Sequence, residues 1–175
     1  MKATPASIWL TAIAVAAAIL STGSVMGAEK KDAEGKEAKL TKKDLPASVM
    51  AAFTKSYPKA VIKEVSRETE DSTTIFEIES VDGTVKRTLS YTPDGSVSEI
   101  EEVTALENLP AAVRGAISKD YAKGKLERIE KVTKGDSTTF EILVTLDKVR
   151  SEVVYDSVGK VLETEKKSDA KKDND

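Results

Sequence analysis

The sequence predicts an α+β protein: two tandem helix-plus-four-strand repeats, with an antiparallel sheet and helices packed on one face. Three observations lead there. Residues 45–101 are written again at 109–165, shifted by 64 positions without a gap, and 19 of the 57 aligned positions are identical. Each copy begins with an apolar stripe at helical spacing, and then changes to a period of two. Every two-periodic run keeps one polar face, so a single layer of helices over an antiparallel sheet is the simplest way to bury the other.

The helix of the first copy opens at the Asp44-Leu45 boundary with Pro46 in its first turn, where a missing N–H is harmless. Val49, Ala52, Phe53 and Tyr57 make its stripe, and Pro58 stops it. Val113, Ala116, Ile117 and Tyr121 repeat the stripe, with Ala122 in place of the second proline and Gly124 as the expected terminator. Both helices are expected to run about 12 residues.

Strands follow near 60–69, 73–81, 84–92 and 96–103, each echoed 64 residues later. Thr74, Phe76 and Ile78 alternate with Ile75, Glu77 and Glu79, and Val85, Leu89 and Tyr91 with Lys86, Thr88 and Ser90. Asp82-Gly83 marks a tight hairpin and Pro93-Asp94-Gly95 a turn needing a positive φ at glycine. The second copy keeps Gly159 but puts Asp147-Lys148 at the hairpin corner, which is weaker turn chemistry.

Outside the repeats, residues 1–28 read as a cleavable export signal: Lys2, an apolar run from Ile8 to Leu20, then small residues up to Ala28. Residues 29–44 read as a charged flexible linker and 166–175 as a charged disordered tail, since neither has apolar surface to offset its ordering entropy. The repeats proper are 45–103 and 109–165. Loss of Lys2 with the signal leaves 26 basic against 30 acidic residues, a balance with no basic footprint for nucleic acid. The expected location is periplasmic or secreted, with no membrane insertion after signal removal.

The linked motifs LPxxVxxAF/I, KxY, TxFEI and Y-x-x-x-G, present twice behind an export signal, resemble the PepSY-like, beta-lactamase-inhibitor-like family of bacterial envelope proteins. The resemblance spans about residues 40–165. It implies tandem helix-plus-four-strand units whose sheets form a shared, often concave, surface, and mostly members without an established activity.

The chemical inventory is narrow. There is no histidine and no cysteine, so a Ser-His-Asp site, a cysteine nucleophile and the preferred ligands of zinc are missing from the sequence. No cofactor and no enzymatic activity are expected. Carboxylates are the remaining candidates: Glu68, Glu70 and Asp71 at the first hairpin, and Glu99, Glu101 and Glu102 on the last strand of the first copy, could offer oxygen to a cation such as calcium. The competing reading of all six is a solvated strand face. Glu77 and Glu141, retained in both copies, are expected on the polar face, paired across strands with a basic residue such as Lys86 or Arg150.

The only tryptophan, Trp9, falls in the signal, and Tyr57, Tyr91, Tyr121 and Tyr155 form repeat-matched pairs that read as core or sheet-edge residues. A tight inhibitory interface usually leans on copy-specific aromatic anchors. The expected function is therefore a non-enzymatic binding module that presents a sheet face to a protein or peptide of the envelope. Cation binding through acidic strand edges, and inhibition of a protease or beta-lactamase, are the alternatives.

Overall fold

The structure, a computed structural model, describes residues 38–70 and 73–167. The protein is α+β, and the described residues form a nine-stranded antiparallel sheet with two helices. The strands are β1 (Ala38–Lys39), β2 (Val61–Glu70), β3 (Thr73–Asp82), β4 (Val85–Tyr91), β5 (Val97–Val103), β6 (Lys125–Lys134), β7 (Ser137–Leu146), β8 (Val149–Tyr155) and β9 (Val161–Lys166), adjacent in that order. Helix α1 (Ala47–Ser56) precedes β2 and α2 (Ala111–Asp120) precedes β6, each entered through a three-residue 3-10 turn, Lys42–Asp44 or Leu106–Asn108. One continuous sheet joins the halves, because β5 pairs directly with β6 from Ile100↔Thr133 to Val103↔Glu130.

The helices are 10 residues long, shorter than the stripe predicts. Pro46 and Pro110 sit at the N-cap with extended ψ, and their carbonyls accept the first helical N–H groups, from Met50 and Arg114. At the far end the N–H of Tyr57 or Tyr121 closes on Phe53 or Ile117. Gly124 does not end α2 through a left-handed turn. It makes room: a Cβ there would lie 2.7 Å from Val144 Cγ2, whereas the first copy pairs Ala60 with the smaller Ser80 at the same two positions.

Side chains alternate across a strand, so the pairing register assigns the faces. Val65↔Ile78 and Ile78↔Leu89 put one apolar row under α1, and Leu89↔Ile100, Ile100↔Thr133, Ile129↔Ile142 and Ile142↔Val153 carry the same face across to α2. Both helices therefore cover one side of the sheet. Beneath them lie two matched cores: Leu45, Val49, Phe53, Val65, Phe76, Ile78, Leu89 and Tyr91, and Leu109, Val113, Ile117, Ile129, Phe140, Ile142, Val144, Val153 and Tyr155. Tyr91 and Tyr155 are core residues, while Tyr57 and Tyr121 pack partly buried at the helix ends. Bulges recur at matched places, at Lys63 and Glu127, and at Ser98 and Leu162.

The turns follow the positive-φ rule. Gly83 (φ +61) begins the β3–β4 corner, and its partners in the second copy, Asp147 and Lys148, both take positive φ without being glycine. Part of the segment expected as flexible linker is structured: β1 adds to the edge of β2, and Thr41 caps the 3-10 turn through Asp44. Backbone pairing and a local cap order it, which apolar content does not reveal. Likewise Lys166 closes β9, and Lys167 reaches Glu152 and Glu165. The export signal, most of the linker and residues 168–175 lie outside the described residues.

Candidate interaction face

The sheet side away from the helices carries the chemistry of the molecule. Register places Glu99 and Glu101 of β5, Arg128 and Glu130 of β6, Glu141 of β7 and Glu152 of β8 on it, interleaved with Val132, Leu143 and Val154. Glu130 stands directly opposite Glu141, an arrangement of like charges that destabilises a strand pair unless something offsets it.

Arg128 supplies part of the offset. Its Nε lies 2.9 Å from Glu130 Oε2, and its Nη2 lies 3.8 Å from Glu152 Oε2. Lys134 reaches Glu99 at 3.5 Å and Lys167 reaches Glu152 at 3.4 Å. Glu141 is 2% exposed, and neither of its carboxylate oxygens accepts a hydrogen bond among the described residues.

Burial, reinforced by Glu152, Glu130 and Glu99, pushes the Glu141 carboxyl up to about 8. Burial, with Glu130, Glu141 and Glu99 adding to it, pushes Glu101 up to about 9, against the pull of Arg128. Glu130 is raised as well, chiefly by burial, with Arg128 opposing. At the rim the sign reverses: Glu127 accepts hydrogen bonds from Thr145 Oγ1 (2.7 Å) and Arg150 Nε (2.9 Å), which hold its carboxyl below the usual range.

The pairing expected for Glu77 and Glu141 is not the one formed. Register sets Lys86 opposite Val81 and Arg150 opposite Thr145, each too far along the strand, so Glu77 accepts from Ser66 Oγ (3.2 Å) and Arg150 goes to Glu127. The six sequence candidates for a cation do not come together. Glu102 turns to the helix side, where Arg87 donates to it at 2.6 Å and also lies over the Tyr57 ring, 5.3 Å from its centroid. Glu99 and Glu101 face the other way. Glu68 is on β2, three strands from β5, and the Glu70 side chain and Asp71 lie outside the described residues. Among the described residues no group of three His, Cys, Asp or Glu is placed to hold a metal ion.

Sequence reasoning missed Arg128, Glu130 and Glu152. Their counterparts 64 positions earlier are Glu64, Ser66 and Thr88, and those of Leu143 and Val154 are Glu79 and Ser90. The signal was present as carboxylates in the second copy unmatched in the first, but only the register shows that they converge.

The family described as "Putative beta-lactamase-inhibitor-like, PepSY-like" matches residues 28–98 and 78–163. Among solved structures, a protein described as a putative periplasmic protein of Bacteroides eggerthii is similar at 20% identity and a TM-score of 0.61, over 70% of this chain and 88% of its own. A BLIP-like protein of Bacteroides fragilis is similar at 15% identity and a TM-score of 0.59, over 74% of this chain and 92% of its own. At these identities the likeness is one of fold. No curated protein matches the chain, and none of the described helices is long and apolar enough to cross a membrane.

Proposed function

The chain belongs to the PepSY-like, beta-lactamase-inhibitor-like family, and from that premise we propose that it is a non-enzymatic binding module of the bacterial envelope. Two tandem helix-plus-four-strand units act as a scaffold whose helix-free sheet face holds a basic segment of a protein or peptide. One observation carries the reading: the centre of that face gathers Glu99, Glu101, Glu130, Glu141 and Glu152 around one arginine. Carboxyl groups whose ionisation is held back by burial and by one another gain from an approaching ammonium or guanidinium group, because the cation favours their charged forms and supplies the partner that burial denies them. The half-buried carboxylates Glu77, Glu79, Glu99 and Glu101 offer the approach.

An exported location agrees with relatives described as periplasmic and with the signal read in residues 1–28. Inhibition of a protease or beta-lactamase is a narrower form of this reading. It would need a different kind of anchor from the buried pair Tyr91 and Tyr155, which the helices cover.

The test is binding of a lysine-rich peptide and of a glutamate-rich control, measured by calorimetry on wild type and on Glu99→Gln/Glu101→Gln. Binding of the basic peptide alone, weakened in the variant and by salt, supports the reading. Equal binding of both peptides, or none, overturns it. A calcium titration monitored by thermal melting runs beside it, since a ligand at about 100 times its dissociation constant adds about 2.7 kcal/mol of stability. A calcium shift without peptide binding would reassign the face to a cation.

A further inference from the structure

The 64-residue offset extends upstream of the repeated sequence, and it gives β1 an identity. Ala38 pairs with Arg67 and Lys39 with Ser66. Adding 64 to each number gives Glu102 with Lys131 and Val103 with Glu130, which are the pairs that join β5 to β6. The next hydrogen bond matches too: Leu40 N–H to Val65 O, and Thr104 N–H to Ile129 O, both at 2.9 Å. The two residues of β1 thus sit on β2 as the end of β5 sits on β6, in the same register. In register, the edge of β2 is equivalent to the edge of β6 that receives β5.

The opposite edge of the sheet offers such a strand. β9 corresponds to β5 in the repeat, and all six of its residues are exposed. A second copy placed by the internal junction rule would set Thr164 opposite Thr69, Glu165 opposite Glu68, Lys166 opposite Arg67 and Lys167 opposite Ser66. That contact is head-to-tail, so nothing in it stops the assembly at two copies and the sheet would keep extending, into a ring or an open filament. Two features oppose it. β1 already occupies Ser66 and Arg67, and two of the four new pairs would be like-charged, where the internal junction has Glu102 opposite Lys131.

We propose that β1 is a built-in terminator: a remnant of the junction strand that, with the like charges Glu165/Glu68 and Lys166/Arg67, keeps copies of this chain from joining end to end. Terminal repeats of stacked architectures need such closure, because an open repeat end is a template for the next unit.

The experiment follows the mass of purified protein against concentration by light scattering and sedimentation, for wild type, Leu40→Pro, Glu165→Lys/Lys166→Glu and the combination. Leu40→Pro removes the N–H that bonds Val65 O, and the charge exchange makes β9 complementary to Glu68 and Arg67. Wild type and the charge exchange alone are expected to stay monomeric, and the combination to form dimers and longer species. Growth of Leu40→Pro alone also supports the terminator. A folded combination that stays monomeric, or growth of wild type or of the charge exchange with β1 intact, overturns it. If circular dichroism shows Leu40→Pro unfolded, Ala38→Pro opens the same edge. A Thr69→Cys/Thr164→Cys pair then reads the register directly, because only end-to-end copies bring those two positions together. The outcome is independent of whether the sheet face binds a basic segment.

Discussion

Two glycines show how a single residue is dictated by its surroundings. Gly95 (φ +89) and Gly159 (φ +81) turn the chain between β4 and β5 and between β8 and β9, against the first turn of the preceding helix. A Cβ on Gly95 would lie 2.7 Å from Ser48 O, and one on Gly159 would lie 2.6 Å from Ala112 O. Ser48 Oγ also donates to Pro93 O at 2.6 Å, tying the turn to α1. Alanine would meet a disfavoured backbone and a backbone clash together, so Gly95→Ala and Gly159→Ala are each expected to cost more than about 2 kcal/mol in urea unfolding. At Gly83 nothing lies within 4 Å of a built Cβ, and Gly83→Ala is expected to cost about 1 kcal/mol. The reverse change belongs at Lys148 (φ +67). Lys148→Gly relieves left-handed strain and is expected to raise stability by about 0.5–1 kcal/mol, visible as a higher melting temperature.

At the level of elements, α1 and α2 bind the sheet through equivalent knobs. Val49 and Val113 are both fully buried and meet matched cores. Val49→Ala and Val113→Ala are expected to destabilise by similar amounts, about 2 kcal/mol each, from lost transfer energy and the cavity left behind. A large difference between them in denaturant unfolding would mean that the two units differ in packing more than their residues indicate. The elements are also where sequence was easiest to read. The 3.6 and 2.0 periodicities of the first copy, carried 64 residues on, located α1, α2 and β2 to β9, although β7 and β8 are buried on both faces and β9 is exposed throughout. β1 escaped that reading: two residues have no period, and their order comes from backbone bonds to β2.

Across the whole molecule, the carboxylates of the helix-free face couple stability to pH. Burial and neighbouring carboxylates raise Glu101 to about 9 and Glu141 to about 8 from an ordinary 4.5. The folded protein therefore retains protons that the unfolded chain has released between about pH 4.5 and about pH 9. Stability is expected to fall as pH rises through that window and to level off above it. Melting temperatures between pH 5 and 9 check the sign, and Glu141→Gln should flatten the slope. Arg128 is the counterweight, in contact with Glu130 and near Glu152. Arg128→Gln is expected to destabilise by several kcal/mol at pH 8 and by less at pH 5, where Glu101 and Glu141, whose charged forms Arg128 favours, hold their protons.

Within the sequence lay the α+β class, the duplication, the two helices, the core rows and the turn glycines, since each follows from a local period or from a backbone demand that few residues satisfy. Glu77 and Glu141 were legible as polar-face residues, but their partners were not. Pairing across strands depends on register, and register comes from turns and bulges such as Lys63 and Glu127. Only the tertiary structure joined the two units into one sheet, set Glu102 beside Arg87, and brought Glu99, Glu101, Glu130, Glu141 and Glu152 together from four strands. Those contacts join residues far apart along the chain, and a repeat of 64 says which positions are equivalent without saying which ones touch.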